Sequence, residues 1–141
     1  MKQLLSLLIV AICIFTGVKA QHIPDANFAK ALHEKYPDCI DEKDNLLPAA
    51  SSITDLEIDN YGIKNLSGII GFTKLQTLNL WRDSLTELPT LPETITDLKC
   101  SSNQLTALPK LPDDLYKLNC IFNNLTKLPD LPKKIHTLLL S

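Results

Sequence analysis

The chain has 141 residues, with 14 basic and 16 acidic side chains, a net charge of −2 and 6% aromatic residues. No basic stripe is available to neutralise phosphates, which argues against nucleic acid as a partner. The length suits one domain.

Met1-Lys2-Gln3 is a short basic start, Leu4 to Val18 is almost wholly apolar, and Val18-Lys19-Ala20 has the small-x-small pattern of a cleavage site. That layout predicts a secretory signal peptide, residues 1–20, cut after Ala20. The apolar run falls short of the roughly 20 residues that span a bilayer. The expected product is secreted or held at the cell surface, with no integral membrane span after cleavage. An uncleaved N-terminal anchor is the alternative. Cys13 follows Ile12 rather than a small residue, which disfavours a lipid-attachment site. Losing Lys2 and Lys19 leaves 12 basic residues against 16 acidic ones, a net −4. Three cysteines then remain, Cys39, Cys100 and Cys120, and an odd count argues against a full disulfide framework.

Residues 21–52 read as a helical cap. Apolar residues at 28, 29, 32 and 36 recur at helical spacing, Asp25 is placed to cap the helix, and Pro37 ends it. A polar stretch from Asp38 to Asn45 follows, then a short helical turn around Leu46-Leu47-Pro48. Asp41-Glu42-Lys43-Asp44-Asn45 lacks the glycine and the alternating spacing of a calcium loop, so it reads as a polar turn.

From Ile53 onward one template recurs, apolar-x-x-apolar-x-apolar-x-x-Asn, over residues 53–141. It is anchored at Ile53, Leu56 and Ile58; at Leu75, Leu78 and Leu80; at Ile95, Leu98, Cys100 and Asn103; at Leu115, Leu118, Cys120 and Asn123; and at Ile135, Leu138 and Leu140. Tyr61 and Asp83 fill the Asn slot of the first two units. A fixed period of this kind means stacked repeats. Each apolar-x-apolar segment predicts a short strand with one buried face, and stacking the units makes a parallel sheet. Asn103 and Asn123 sit where the chain leaves the strand, placed to satisfy backbone groups of the turn. In the later units the return limb reads Leu-Pro-x-Leu-Pro, at Pro89 and Pro92, Pro109 and Pro112, Pro129 and Pro132. Proline at every third residue predicts an extended, polyproline II-like limb rather than an α-helix. The earlier limb, with Leu66, Ile69 and Phe72 spaced by three, predicts a 3₁₀-like turn.

These residues carry a family resemblance. The pattern is similar to the leucine-rich repeat in two flavours. Residues 53–85 resemble the 22-residue type of internalin-like bacterial proteins. Residues 85–141 resemble the 20-residue LPxLPxxLxxLxxxxNxL type of secreted bacterial effectors. Ile23-Pro24-Asp25-Ala26-Asn27-Phe28 resembles the N-terminal cap of secreted leucine-rich-repeat proteins of Bacteroidota. The resemblance implies an α/β-type solenoid that binds a protein or a glycan on its concave sheet and performs no catalysis. The alternatives are the substrate-recognition part of an effector-type ubiquitin ligase, or a fragment of a surface adhesin. The last copy stops at Ser141, before its Asn turn, so the solenoid reads as cut short, with an open last strand and marginal stability. Sequencing downstream of the chain separates these alternatives.

The strand residues that do not face the core are the candidate partner-binding groups. They are Asp55, Glu57 and Asp59; Trp81 and Arg82, with Gln76 and Asn79; Lys99, with Asp97 and Ser101; Tyr116, Asn119, Ile121 and Phe122; and His136 and Leu139. Trp81, Tyr116, Ile121 and Phe122 are apolar residues in slots that ordinarily face water. In the competing reading, Trp81 covers the sheet rim and Phe122 tucks into its turn. Asp55, Glu57 and Asp59 share one face and read more readily as a charged, protected edge than as a cation site. Cys100 and Cys120 occupy Leu/Ile slots, where free cysteine packs as a small apolar residue; a cross-strand disulfide is the alternative. Asn65-Leu66-Ser67 and Asn124-Leu125-Thr126 match the glycosylation pattern only weakly. No nucleophile–base pairing, phosphate loop or metal quartet is visible, and neither a catalytic group nor a cofactor is expected.

Overall fold

The computed structural model describes residues 21–140; residues 1–20, for which a signal peptide is expected, lie outside them. Five three-residue strands form one parallel sheet in sequence order: β1 Asp55–Glu57, β2 Thr77–Asn79, β3 Asp97–Lys99, β4 Lys117–Asn119 and β5 Thr137–Leu139. The register holds each template position in line, so Leu56, Leu78, Leu98, Leu118 and Leu138 pair in turn. The first four are fully buried. Each such leucine contributes roughly 2 kcal/mol by leaving water. The fold is a leucine-rich-repeat solenoid with its core between the sheet and the return limbs.

Those limbs differ as the prolines require. Ile69–Gly71 is a 3₁₀ turn, while the described residues from Leu85 onward contain no helix. Each Leu-Pro-x-Leu-Pro limb ends in a tight turn in which the amide of Ile95, Leu115 or Ile135 donates to the carbonyl of Pro92, Pro112 or Pro132. Leu88, Leu91, Leu108 and Leu111 point inward from the limbs and are buried.

The turns that follow β1 to β4 are held by polar side chains. Asn103 Oδ1 accepts from the Leu85 amide at 3.0 Å, and its Nδ2 donates to the carbonyls of Leu80, Cys100 and Ser101. Asn123 repeats this with the Leu105 amide and the carbonyls of Cys100, Cys120 and Ile121. Asp83 does half of the job. Its Oδ1 accepts from the amides of Tyr61, Gly62 and Ile63, and its buried Oδ2 has no hydrogen-bond partner among the described residues.

Helix α1, Ala26–Lys35, closes the β1 end. Asp25 caps it, with Oδ1 accepting from the amides of Asn27 and Phe28 at 2.9 Å. Its Oδ2 accepts from the amides of Lys64 and Asn65, so one carboxylate ties the cap to the first return limb. Tyr36 and Lys35 serve the outer edge of β1. The Tyr36 hydroxyl accepts from the Glu57 amide at 2.9 Å and donates to the Asp55 carbonyl, and Lys35 Nζ donates to the Glu57 carbonyl. An otherwise unpaired strand edge is thereby satisfied by side chains. The segment 41–45 is a polar turn, with Asp41 Oδ1 accepting from the amides of Lys43 and Asn45.

Candidate binding face

Alternation along each strand sends the residues flanking the central leucine to the open face. Register then stacks them into columns. One column runs Asp55, Thr77, Asp97, Lys117, Thr137, and the next runs Glu57, Asn79, Lys99, Asn119, Leu139. Of these, Thr77, Lys117 and Thr137 escaped the sequence reading. The strict alternation about Leu78, Leu118 and Leu138 is the signal that places them there.

The face is acidic at one end and basic further along. On β1, Glu57 accepts a 2.6 Å bond from Asn79 Nδ2 and Asp55 takes one from the Thr54 hydroxyl; just beyond the strand, Asp59 lies 3.9 Å from Lys35. These three carboxylates act mainly as local partners, not as a shared cluster. Across β3 and β4, Lys117 lies 3.8 Å from Asp97. Lys99 takes part in no ion pair among the described residues. A shallow groove of about 240 Å³ opens between Asp97, Lys99, Lys117, Asn119, Thr137 and Leu139.

Aromatic groups flank the face on both sides. At the start of the strands, Tyr116 and His136 stack with ring centroids 4.9 Å apart. Position alone did not reveal that pairing, which needs the 20-residue register to bring the two rings over one another. At the far rim, Arg82 lies over the Trp81 ring at 5.2 Å, and Trp81 is 43% exposed. Phe122 does not tuck into its turn; it is 68% exposed. Its backbone is left-handed (φ 56°), which directs the ring away from the core. Asn79 and Asn119 steady this rim by accepting from the amides of Trp81 and Ile121.

The three described cysteines are free and buried. Burial pushes the Cys120 thiol up to about 11, and burial together with neighbouring Cys120 raises the Cys100 thiol further. Both are core groups and weak nucleophiles at neutral pH.

No protein-family model and no curated protein matches the chain. Solved structures do. The functional domain of InlJ from Listeria monocytogenes, described as including a cysteine ladder, is 27% identical with a TM-score of 0.68 over 86% of this chain and 29% of that one. An internalin, InlF, from the same organism is 21% identical with a TM-score of 0.63 over 81% of this chain and 35% of that one. A Shigella effector leucine-rich-repeat domain is 23% identical with a TM-score of 0.54 over 85% of this chain and 58% of that one. The chain thus spans about a third of the length of the two internalins. These neighbours are bacterial leucine-rich-repeat proteins, in agreement with the solenoid derived above. Among the described residues no helix is long and apolar enough to cross a membrane.

Proposed function

We propose that the chain is an exported recognition module that binds a protein on its concave sheet and does no chemistry of its own. The observation that carries this reading is the open face itself. Five strands present in-register columns of polar and charged side chains, and four exposed large apolar residues, Trp81, Tyr116, Phe122 and Leu139, lie on or beside that one surface. Exposed aromatics beside charged groups are typical anchors of protein interfaces. The carboxylates on and just after β1 and the lysines of β3 and β4 give the face a direction, so a partner with opposite polarity binds in one orientation. The internalin-like and effector-like structural neighbours support a protein partner. The basic, apolar and small-x-small run of residues 1–20 supports export. Cys100 and Cys120 occupy the same position of adjacent repeats and are free and buried, and we assign them a packing role.

The test is site-specific photo-crosslinking in cells expressing the chain. A photoreactive residue in place of Lys99 is expected to give a discrete protein adduct, and one in place of the convex Lys110 none. Adducts of the same pattern from both sites would overturn the concave-face reading. Trp81→Ala is expected to weaken the Lys99 adduct without unfolding the chain.

A further inference from the structure

The rim of the sheet holds a built notch that the general reading does not explain. At the C-terminal ends of β2, β3 and β4 the residues run Trp81, Ser101, Ile121, and one step outward they run Arg82, Ser102, Phe122. Both columns are large, small, large. Ser101 is only 5% exposed, a floor between taller walls, while Trp81 and Phe122 are 43% and 68% exposed. The walls stand two strand spacings apart, roughly 10 Å, room for one ring or branched apolar side chain.

Backbone geometry makes Phe122 unusual. Asn60, Arg82, Ser102 and Phe122 occupy equivalent turn positions, all left-handed, with φ of 62°, 57°, 56° and 56°. Asn accepts that conformation most readily, whereas bulky side chains there, Arg82 and Phe122, are outliers. Burial does not offset the cost, because the ring is mostly in water. A strained and exposed aromatic is the mark of a group kept for contact.

Charge supplies the other half. Arg82 lies over Trp81, and neither Arg82 nor Lys99, one strand over and below the floor, joins an ion pair among the described residues. Two cations that join no ion pair among the described residues thus lie on or beside the rim, in a chain whose net charge is −2. A guanidinium in that position favours a carboxylate in bidentate geometry.

We infer that this notch receives an aromatic or branched apolar side chain flanked by carboxylates on a protein partner. The inference rests on the concave-face reading and names its anchor point. Trp81 is the chain's single tryptophan and reports on the notch directly. The full chain is titrated with the peptide acetyl-Asp-Phe-Asp-amide, and separately with acetyl-Lys-Phe-Lys-amide and with phosphatidylglycerol vesicles, following Trp81 emission. A saturable change is expected with the acidic peptide, in the millimolar range for so small a ligand, about 1–10 mM. Phe122→Ser is expected to weaken it by roughly tenfold while raising the urea midpoint, because strain is relieved as the contact is lost. Arg82→Asn is expected to weaken the acidic peptide alone, and substitution of the convex Lys110 by Ala to leave its affinity unchanged. Equal responses to both peptides, no saturation by about 10 mM, a response to vesicles only, or a Phe122→Ser variant with unchanged affinity would each overturn the inference. If the Lys99 photo-adduct persists while the peptide fails, only the notch is lost. If the adduct fails too, the concave-face reading falls with it.

Discussion

At the scale of single residues, Asp83 is the weak point of the Asn series. Burial, opposed by the three amides on Oδ1 and reinforced by nearby Asp59, raises its carboxyl from the usual 3.8 to about 6. In Asn103 and Asn123 the atom corresponding to Oδ2 is an NH₂ that donates to carbonyls. A protonated Asp83 can donate in the same way, and an ionised one cannot. Because the folded value lies above the unfolded one, the stability this group supports is complete below about pH 4 and is lost as pH rises through 6. Asp83→Asn is therefore expected to stabilise the chain at pH 8 by on the order of 1–3 kcal/mol and to gain little at pH 4. Urea denaturation at the two pH values measures this. A variant no more stable at pH 8 than at pH 4, relative to the parent, would count against the orphaned oxygen as the cause. The sequence showed that Asp83 departs from the Asn pattern. It could not show that the substitution buries a second acceptor with nothing to accept from.

At the scale of elements, the strands were legible and their supports were not. Leu56, Leu78, Leu98, Leu118 and Leu138 were assigned to strands because period-2 apolar spacing inside a fixed repeat admits one register. The Leu-Pro-x-Leu-Pro limbs were likewise legible, because proline dictates its own backbone. How α1 seals β1 was hidden, since Tyr36 lies 21 residues from the Glu57 amide it meets. Tyr36→Phe keeps the ring and removes the hydroxyl, leaving that amide unpaired at the edge. The expected cost is about 1–2 kcal/mol, with faster hydrogen exchange at the Glu57 amide than at Asn79. Equal exchange at both amides in the variant would mean that Tyr36 is not the edge's partner. The pairs flanking the face follow the same division. Tyr116 and His136 could each be assigned to the open side, but their stacking depends on the lateral register of β4 and β5.

For the whole molecule, burial falls along the solenoid. Core positions from Leu56 through Cys120 are fully buried, whereas Leu138 is half-buried and Leu128, Leu131 and Leu140 are exposed by about two-fifths (42%, 41% and 39%). In a stacked architecture each unit leans on its neighbours, so stability is expected to decline towards β5. Leu78→Ala is expected to cost about 3–4 kcal/mol, while Leu138→Ala costs about 1–2 kcal/mol, because its site is open to solvent and no sealed cavity forms. Chemical denaturation of the two variants side by side provides the check, and equal losses would contradict the gradient.

The sequence by itself determined the repeat, its strands, the extended limbs and the side of each strand that faces outward. Those are consequences of local periodicity and of backbone rules for proline, which act within a few residues. Tertiary structure alone decided what the outward residues do together. It placed Arg82 over Trp81, lowered Ser101 between Trp81 and Ile121, turned Phe122 outward, paired Lys117 with Asp97 and left Lys99 without an acid among the described residues. The Lys117–Asp97 pair and the seating of Ser101 between Trp81 and Ile121 join residues a full repeat apart, and only closing each turn of the solenoid brings them into reach.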